Sequence, residues 1–280
     1  MPEKILILGA NSFYGSNFAR LVEERGDVAI RMGRKEFDIE DSFISVINAA
    51  TGKGAADYIV NFISRSLVAE SWEDPCAWVE TNATATTRLI DVLRRYWEGR
   101  KVIHVSTPEV YGSTPSWVDE DAPYNPTTPY AVSRAAGDMM LKAYHKAYGF
   151  PAIITRTANI YGPGQQDYRI ISKALACKKD RTKLQLHGKG ESVRSFIHIK
   201  DACEATYLIC KQGRTGETYH ISTPKAHSIR EVVEMIGCEY ECVPDRLGKD
   251  QAYLLNSRKV RNLGWKDTFS LEEGLCELSR

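Results

Sequence analysis

The chain has 280 residues, 43% of them hydrophobic and 26% charged, and its 37 basic and 36 acidic side chains balance to a formal net charge of +1. That length exceeds a typical single domain and can bury a large core, and the composition is that of a globular protein. The even charge balance, with no basic stripe, argues against nucleic acid as a partner, and no apolar run is long enough to span a bilayer. The N-terminal MPEKILILGA begins a strand-like pattern rather than a signal peptide. The seven cysteines are scattered, odd in number and without a C-x-x-C pair, so neither a metal site nor a disulfide framework is expected and the cytoplasm is the expected compartment. Cys238 and Cys242 have helical spacing and read as two buried small apolar residues.

In chain order, Lys4–Leu8 reads as a strand, Phe18–Glu24 as a helix, Val28–Met32 as a strand and Asp41–Ala49 as a helix. Tyr58–Phe62 follows as a strand, Pro75–Arg95 as one long helix, Lys101–Val105 as a strand, Tyr130–Tyr148 as a helix and Ala152–Thr157 as a strand. Short, continuously apolar strands alternating with helices predict an α/β fold, with a doubly wound parallel sheet of Rossmann type covered on both faces. The second half is less regular. Helices are expected over Ile170–Lys178 and Asp201–Lys211 and from Ile229, and short strands at Lys183–Leu186, Ser195–His198 and Tyr219–Ile221. The tail SLEEGLCEL reads as a closing helix with Ser270 as N-cap and Glu273 completing a capping box. The expected division is a dinucleotide-binding domain of residues 1–157 and 191–217, and a smaller mixed α/β substrate domain of residues 158–190 and 218–280.

The turn after the first strand is Gly9-Ala10-Asn11-Ser12-Phe13-Tyr14-Gly15. A dinucleotide's diphosphate needs bare backbone N–H groups at a helix N-terminus, which glycines at the first and last positions of G-x-x-G-x-x-G permit. Ser12 takes the middle position, and Asn11, Phe13 and Tyr14 complete the candidate cofactor turn. The acidic residue that would bind an NAD ribose at the end of the second strand is missing, and the sequence there is Arg31-Met32-Gly33-Arg34-Lys35. Arg31 and Arg34 are suited to the 2′-phosphate of NADP, whereas a solvated basic turn would accompany NAD.

Two segments carry candidate chemistry. In HVSTPEVYG the fourth strand ends at Thr107 and Glu109, and in TPYAVSR a helix starts at Tyr130 with Arg134 one turn later. Strand carboxyl ends open onto the ligand crevice of a doubly wound sheet. A phenol has a pKa of about 10 and is a poor base at neutral pH, but a fixed cation and a cationic nicotinamide favour phenolate. Tyr130 is thus the expected base for an alcohol, Arg134 the cation and Thr107 the group that holds the alcohol oxygen. Taken singly, Tyr130 fits a half-buried helix tyrosine and Glu109 a surface turn residue; their conjunction with the glycine turn argues for a site.

On these residues the chain resembles extended short-chain dehydrogenases/reductases of the nucleotide-sugar epimerase/dehydratase family. The likeness runs over nearly the whole chain, through NFISRSLVAES, Thr81-Asn82, HVSTPEVYGS, YAVSR, TRTANIYGPGQ, GKGESVRSFIHIKDACEA and NLGW followed by SLEEGL. It implies NAD(P) held tightly and recycled, a nucleoside-diphosphate sugar as partner, and a homodimer formed through the helices at Pro75–Arg95 and Tyr130–Tyr148. It places Asn82 at the cofactor and Ser66, Asn159 and Arg194 at the substrate; a surface ion pair is the alternative for Arg194. His198 and His220 read as core histidines. HVSTPEVYGS is similar to the S-T-D-E-V-Y-G segment of 4,6-dehydratases, which assigns Glu109 the removal of the C5 proton after oxidation at C4, before water leaves from C6. Two positions depart from that pattern. Pro108 replaces the aspartate that would protonate the leaving hydroxyl, and Arg134 replaces the usual lysine. Alternatives within the family are a 4-epimerase and a decarboxylase; a non-catalytic dinucleotide sensor or partner subunit is the alternative outside enzymes.

Overall fold

The computed structural model describes residues 1–35, 39, 43–52, 55–114, 116–245 and 250–279. It opens with β1 (Lys4–Leu8), α1 (Phe13–Glu24), β2 (Val28–Met32), α2 (Ile44–Thr51) and β3 (Tyr58–Asn61). Side chains alternate across the first strand, so Ile5 and Ile7 enter one core layer and Leu6 and Leu8 the other. The helix after it starts five residues earlier than the apolar period suggests, because Ser12 caps it and accepts from Gly15 N at 3.0 Å. Of the second predicted helix, Asp41 and Ser42 lie outside the described residues.

The long helix expected over Pro75–Arg95 is divided into α3 (Pro75–Val79), a π-helical turn (Glu80–Ala85) and α4 (Thr86–Tyr96). Such π turns are rare inside α-helices and frequent at functional sites. Here the turn carries Asn82, whose side chain reaches the loop after β3 and α5. Next come β4 (Lys101–Ser106), α5 (Pro129–Tyr148), β5 (Ala152–Thr157), β6 (Asn159–Tyr161), α6 (Ile170–Asp180), β7 (Leu184–His187), β8 (Val193–Arg194) and β9 (Phe196–His198). The remainder is α7 (Ile199–Gln212), β10 (Thr218–Ile221), β11 (His227–Ser228), α8 (Ile229–Ile236), β12 (Tyr240–Val243), β13 (Ala252–Tyr253), α9 (Arg258–Arg261) and α10 (Leu271–Leu278). The last helix has the Ser270–Glu273 capping box read from its sequence.

Six parallel strands form the main sheet in the order β10-β5-β4-β3-β1-β2. Helices α1 and α7 cover one face, packing Phe18, Val22 and Ile209 on Ile7, Val60 and Ile103. On the other face, Leu89, Leu93 and Leu141 of α4 and α5 pack on Leu6, Ile59 and Ile154. Each such fully buried aliphatic side chain contributes about 1.5–3 kcal/mol. The strand order reverses between β1 and β3, so the ligand crevice of this sheet opens above their carboxyl ends.

Strand β10 joins the main sheet beside β5, whereas the predicted boundary at 217/218 assigns it to the substrate domain. Val260 and Trp265 also belong to the core under α1 and α7. A separate core unites Ile171, Leu184, Leu186, Phe196, Val232, Ile236 and Leu275. Cys238 follows the α8 cap and is buried, but Cys242 lies exposed on a strand, so the two do not face each other on a helix. His198 and His220 are buried, as expected of core histidines.

Candidate active site

The glycine turn closes β1 onto α1 with backbone alone at its approach face. Gly9 has φ +78°, and a side chain there would press within 3.2 Å of the Phe62–Ile63 backbone at the end of β3. A Cβ at Gly15 would strike the Gly9 carbonyl oxygen, which already accepts from Ser12 N at 3.0 Å and from Ser12 Oγ at 2.7 Å. The N–H of Gly15 is taken by Ser12 Oγ, and those of Phe13 and Tyr14, which open α1, are left by the cap for a ligand, a setting that fits a dinucleotide's diphosphate. Asn11 lies exposed on this turn and Phe13 is buried. The side chain of Tyr14 points away from the crevice: its hydroxyl donates to Ala202 O at 2.9 Å and meets Thr206 Oγ1 at 2.8 Å inside the α1–α7 interface. Any contact of Tyr14 with a cofactor is thus through its backbone, a correction the helix phase imposes.

Beyond β2, Arg31 forms a double hydrogen bond with Glu23, at 3.1 and 2.8 Å, on the exposed sheet edge. Arg34 is exposed in the turn that follows. Asn82 is fully buried and holds the loop after β3: it accepts from Arg65 N at 2.9 Å and donates to Arg65 O and Ser133 Oγ, each at 3.0 Å. With both amide hydrogens engaged, it shapes the crevice wall rather than offering a free donor. Ser66 is half-buried in the loop that Asn82 holds.

Thr107 directly follows β4 in extended conformation and caps a 3₁₀ turn, Pro108–Tyr111, that presents Glu109. Pro108 occupies the first position of that turn, where a missing N–H is harmless, and is itself buried. Thr128 caps α5 through Ala131 N at 3.1 Å, which sets Tyr130 in the first helical turn. Thr107, Glu109, Tyr130 and Arg134 thus converge at one end of the sheet. Burial, reinforced by the nearby Glu109, holds the Tyr130 phenol above its ordinary value against the opposing Arg134, Thr107 hydroxyl and Arg169, so Arg134 by itself does not bring about the phenolate expected from the sequence. Burial pushes the Glu109 carboxyl up to about 7, with Asp250 reinforcing the shift and Arg194, Arg169 and the Tyr253 hydroxyl opposing it. Glu109 Oε2 is buried and accepts no hydrogen bond among the described residues.

Arg134 is 1% exposed and serves as a clamp across two strand ends. Its guanidinium donates to Ile63 O at 3.4 Å after β3, to Val105 O of β4, and toward His104 Nε2 at 3.3 Å. Burial, with the guanidinium beside it, holds His104 down to about 3, so the imidazole is neutral and able to accept. Behind it, Asp138 Oδ2 takes bonds from Ser106 Oγ at 2.9 Å and Arg156 Nη2 at 2.8 Å. Arg194 is likewise drawn inward. Its N–H groups bind the carbonyls of Val193 and Gln251, at 2.8 and 3.1 Å, and of Asp250 at 2.8 Å, and it stacks 4.0 Å above the Tyr253 ring. Among the described residues it makes no surface ion pair, the alternative weighed for it. Asn159 is half-buried on β6, and its backbone N–H bonds Ser195 O at 3.1 Å.

The parallel sheet, the glycine turn at the switch point and a Tyr–Thr–Glu cluster at the strand ends define a dinucleotide-binding enzyme fold with an acid–base cluster at its crevice. Residues 5–222 match the model of the NAD dependent epimerase/dehydratase family. The chain belongs to that family. A dTDP-glucose 4,6-dehydratase of Streptomyces niveus is 36% identical over 231 residues, which cover 79% of this chain and 68% of that protein. A dTDP-glucose 4,6-dehydratase of Xanthomonas campestris is 31% identical, covering 79% and 71%. Among solved structures, the dTDP-glucose 4,6-dehydratase DesIV of Streptomyces venezuelae with NAD bound superposes with TM-score 0.90 at 30% identity, covering 99% of this chain and 96% of that one.

Proposed function

We propose that the chain is an NAD(P)-dependent 4,6-dehydratase of a nucleoside-diphosphate hexose. The observation that carries this reading is Glu109: a half-buried residue whose Oε2 is enclosed and unpartnered among the described residues, with a proton affinity near neutrality, beside Thr107 and Tyr130. A bound nicotinamide dinucleotide supplies the hydride acceptor and donor. Thr107 and Tyr130 hold the C4 hydroxyl, and Tyr130 removes its proton as C4 is oxidised. The C4 ketone acidifies C5–H, and Glu109 takes that proton. Because Pro108 offers no acid, the proton then held by Glu109 is the one available to the departing C6 oxygen.

Residues 158–190 and 222–280, Asn159 among them, are proposed to carry most of the sugar-nucleotide contacts, with Ser66 at the substrate from the β3 loop and Arg194 shaping its floor. The NADP preference rests on Arg31 and Arg34; the Glu23–Arg31 pair weakens the first half of it. A homodimer is proposed through α3, α4 and α5, which expose Val79, Tyr96, Val132, Met139, Met140 and Tyr148. No described helix is long and apolar enough to cross a membrane, and a cytoplasmic site of action remains our proposal.

The test is incubation with dTDP-glucose and UDP-glucose followed by mass analysis. Loss of one water supports dehydration, an unchanged mass with altered configuration supports epimerisation, and loss of carbon dioxide from a uronic acid supports decarboxylation. Denaturing the purified protein and identifying the released dinucleotide decides NAD against NADP.

A further inference from the structure

The 4,6-dehydratase reading leaves Glu109 with two tasks, and the chain supplies it with unassigned neighbours. The segment after its 3₁₀ turn is stitched to a distant one: Ser113 Oγ accepts from Gln251 N at 3.1 Å and Ala252 N at 3.3 Å, and Thr114 N donates to Ala252 O at 2.9 Å. This brings Asp250 and Tyr253, both over 90% buried, into the site. The Asp250 carboxylate accepts from Tyr253 Oη at 2.8 Å on one oxygen and from Thr127 Oγ1 at 3.0 Å on the other. Thr127 lies three residues before Tyr130, so the Asp250 carboxylate ties the Tyr130 segment to Tyr253, on the segment that Ser113 and Thr114 hold beside the Glu109 turn. Arg194 fixes this arrangement from β8, bonding Asp250 O and covering the Tyr253 ring.

Resting on that reading, we propose that Asp250 and Tyr253 are positioning residues that let Glu109 act as both base and acid, in place of the acid that Pro108 cannot supply. The Tyr253 hydroxyl carries one proton, which it gives to Asp250 Oδ2, and its field and that of Asp250 reach Glu109. While Glu109 is ionised, that proton can turn toward it. Once Glu109 holds the C5 proton, the hydroxyl donates to Asp250 and its lone pair faces the protonated carboxyl. In the step itself the C5–H bond breaks and its proton goes to Glu109. The electron pair forms the C5–C6 double bond, the C6–O bond breaks, and the Glu109 proton joins the leaving oxygen as water. Glu109 ends as carboxylate, and neither Asp250 nor Tyr253 changes its proton count.

The groups facing Glu109 are Arg194, Asp250, Arg169 and Tyr253, with Tyr130 coupled to it across the site. Asp250 favours the protonated carboxyl, and the Tyr253 hydroxyl favours the ionised one. The two substitutions therefore act in opposite directions. The acidic limb of the kcat/KM profile, set by ionisation of Glu109, moves down by about one pH unit in Asp250→Asn and moves up in Tyr253→Phe. Each profile is taken on dTDP-glucose turnover with retained dinucleotide quantified. Limbs that stay fixed, or that move the same way, in folded variants overturn the proposal. If Asp250→Asn fails to fold, the sign of the Tyr253→Phe shift decides. The parent reading fails separately, if wild-type protein removes no water from either nucleotide sugar or if Glu109→Gln keeps full turnover.

Discussion

Replacing Glu109 with glutamine separates the chemical role of this carboxyl from its effect on stability, and the two effects have opposite sign. Its folded pKa, about 7, lies above the ordinary 4.5. Below pH 4.5 the group is protonated in both folded and unfolded states and imposes no penalty. Between pH 4.5 and 7 the unfolded chain ionises while the folded protein keeps its proton, so stability falls as pH rises. Above pH 7 both states are ionised and the whole penalty persists. At about 1.4 kcal/mol per pH unit the interval corresponds to about 3 kcal/mol, an upper figure because solvent reaching the site relieves part of it. Glutamine has nearly the same shape and does not titrate. Glu109→Gln is therefore expected to match wild type near pH 4.5 and to exceed it by up to about 3 kcal/mol at pH 8, while losing dehydration. Urea unfolding at both pH values, with dinucleotide content matched, measures the difference. A stability difference that is the same at both refutes the burial argument.

The remaining expectations concern the neighbouring groups. Tyr130→Phe lowers turnover by about 10²–10⁴-fold while retaining dinucleotide, as read from steady-state rates and released cofactor. A near-normal rate would transfer the alcohol proton to another group. Arg134→Lys cannot reach Ile63 O, Val105 O and His104 with one planar fork, and is expected to destabilise the fold by about 1–3 kcal/mol; unchanged denaturation midpoints would show that the clamp is dispensable. Gly15→Ala drives a methyl group into the Gly9 carbonyl and to 2.9 Å from Ser12 Oγ, at a cost of about 1–3 kcal/mol. It should purify with depleted dinucleotide, and full occupancy would show that the turn adapts.

Several features were legible in the residues alone. The apolar strand runs, the glycine turn, the capped helix at Tyr130 and the Ser270–Glu273 box are local signals, written by side-chain periodicity and by backbone groups a few residues apart. That locality is why the doubly wound sheet and the approach of Thr107, Glu109 and Tyr130 followed from spacing and strand polarity. Other features depend on what packs against what. Helix phase fixed against α7 turned Tyr14 into the core, and a π turn brings the Asn82 side chain to the β3 loop and α5. Arg134 and Arg194 carried the right charge in the sequence, but burial aimed both at backbone carbonyls, because an enclosed guanidinium must find acceptors wherever the fold supplies them. Asp250 and Tyr253 had no motif to mark them. They reach Glu109 across more than 130 residues of chain through the Ser113–Thr114 stitch, a contact that only the folded arrangement of β8 and β13 brings about.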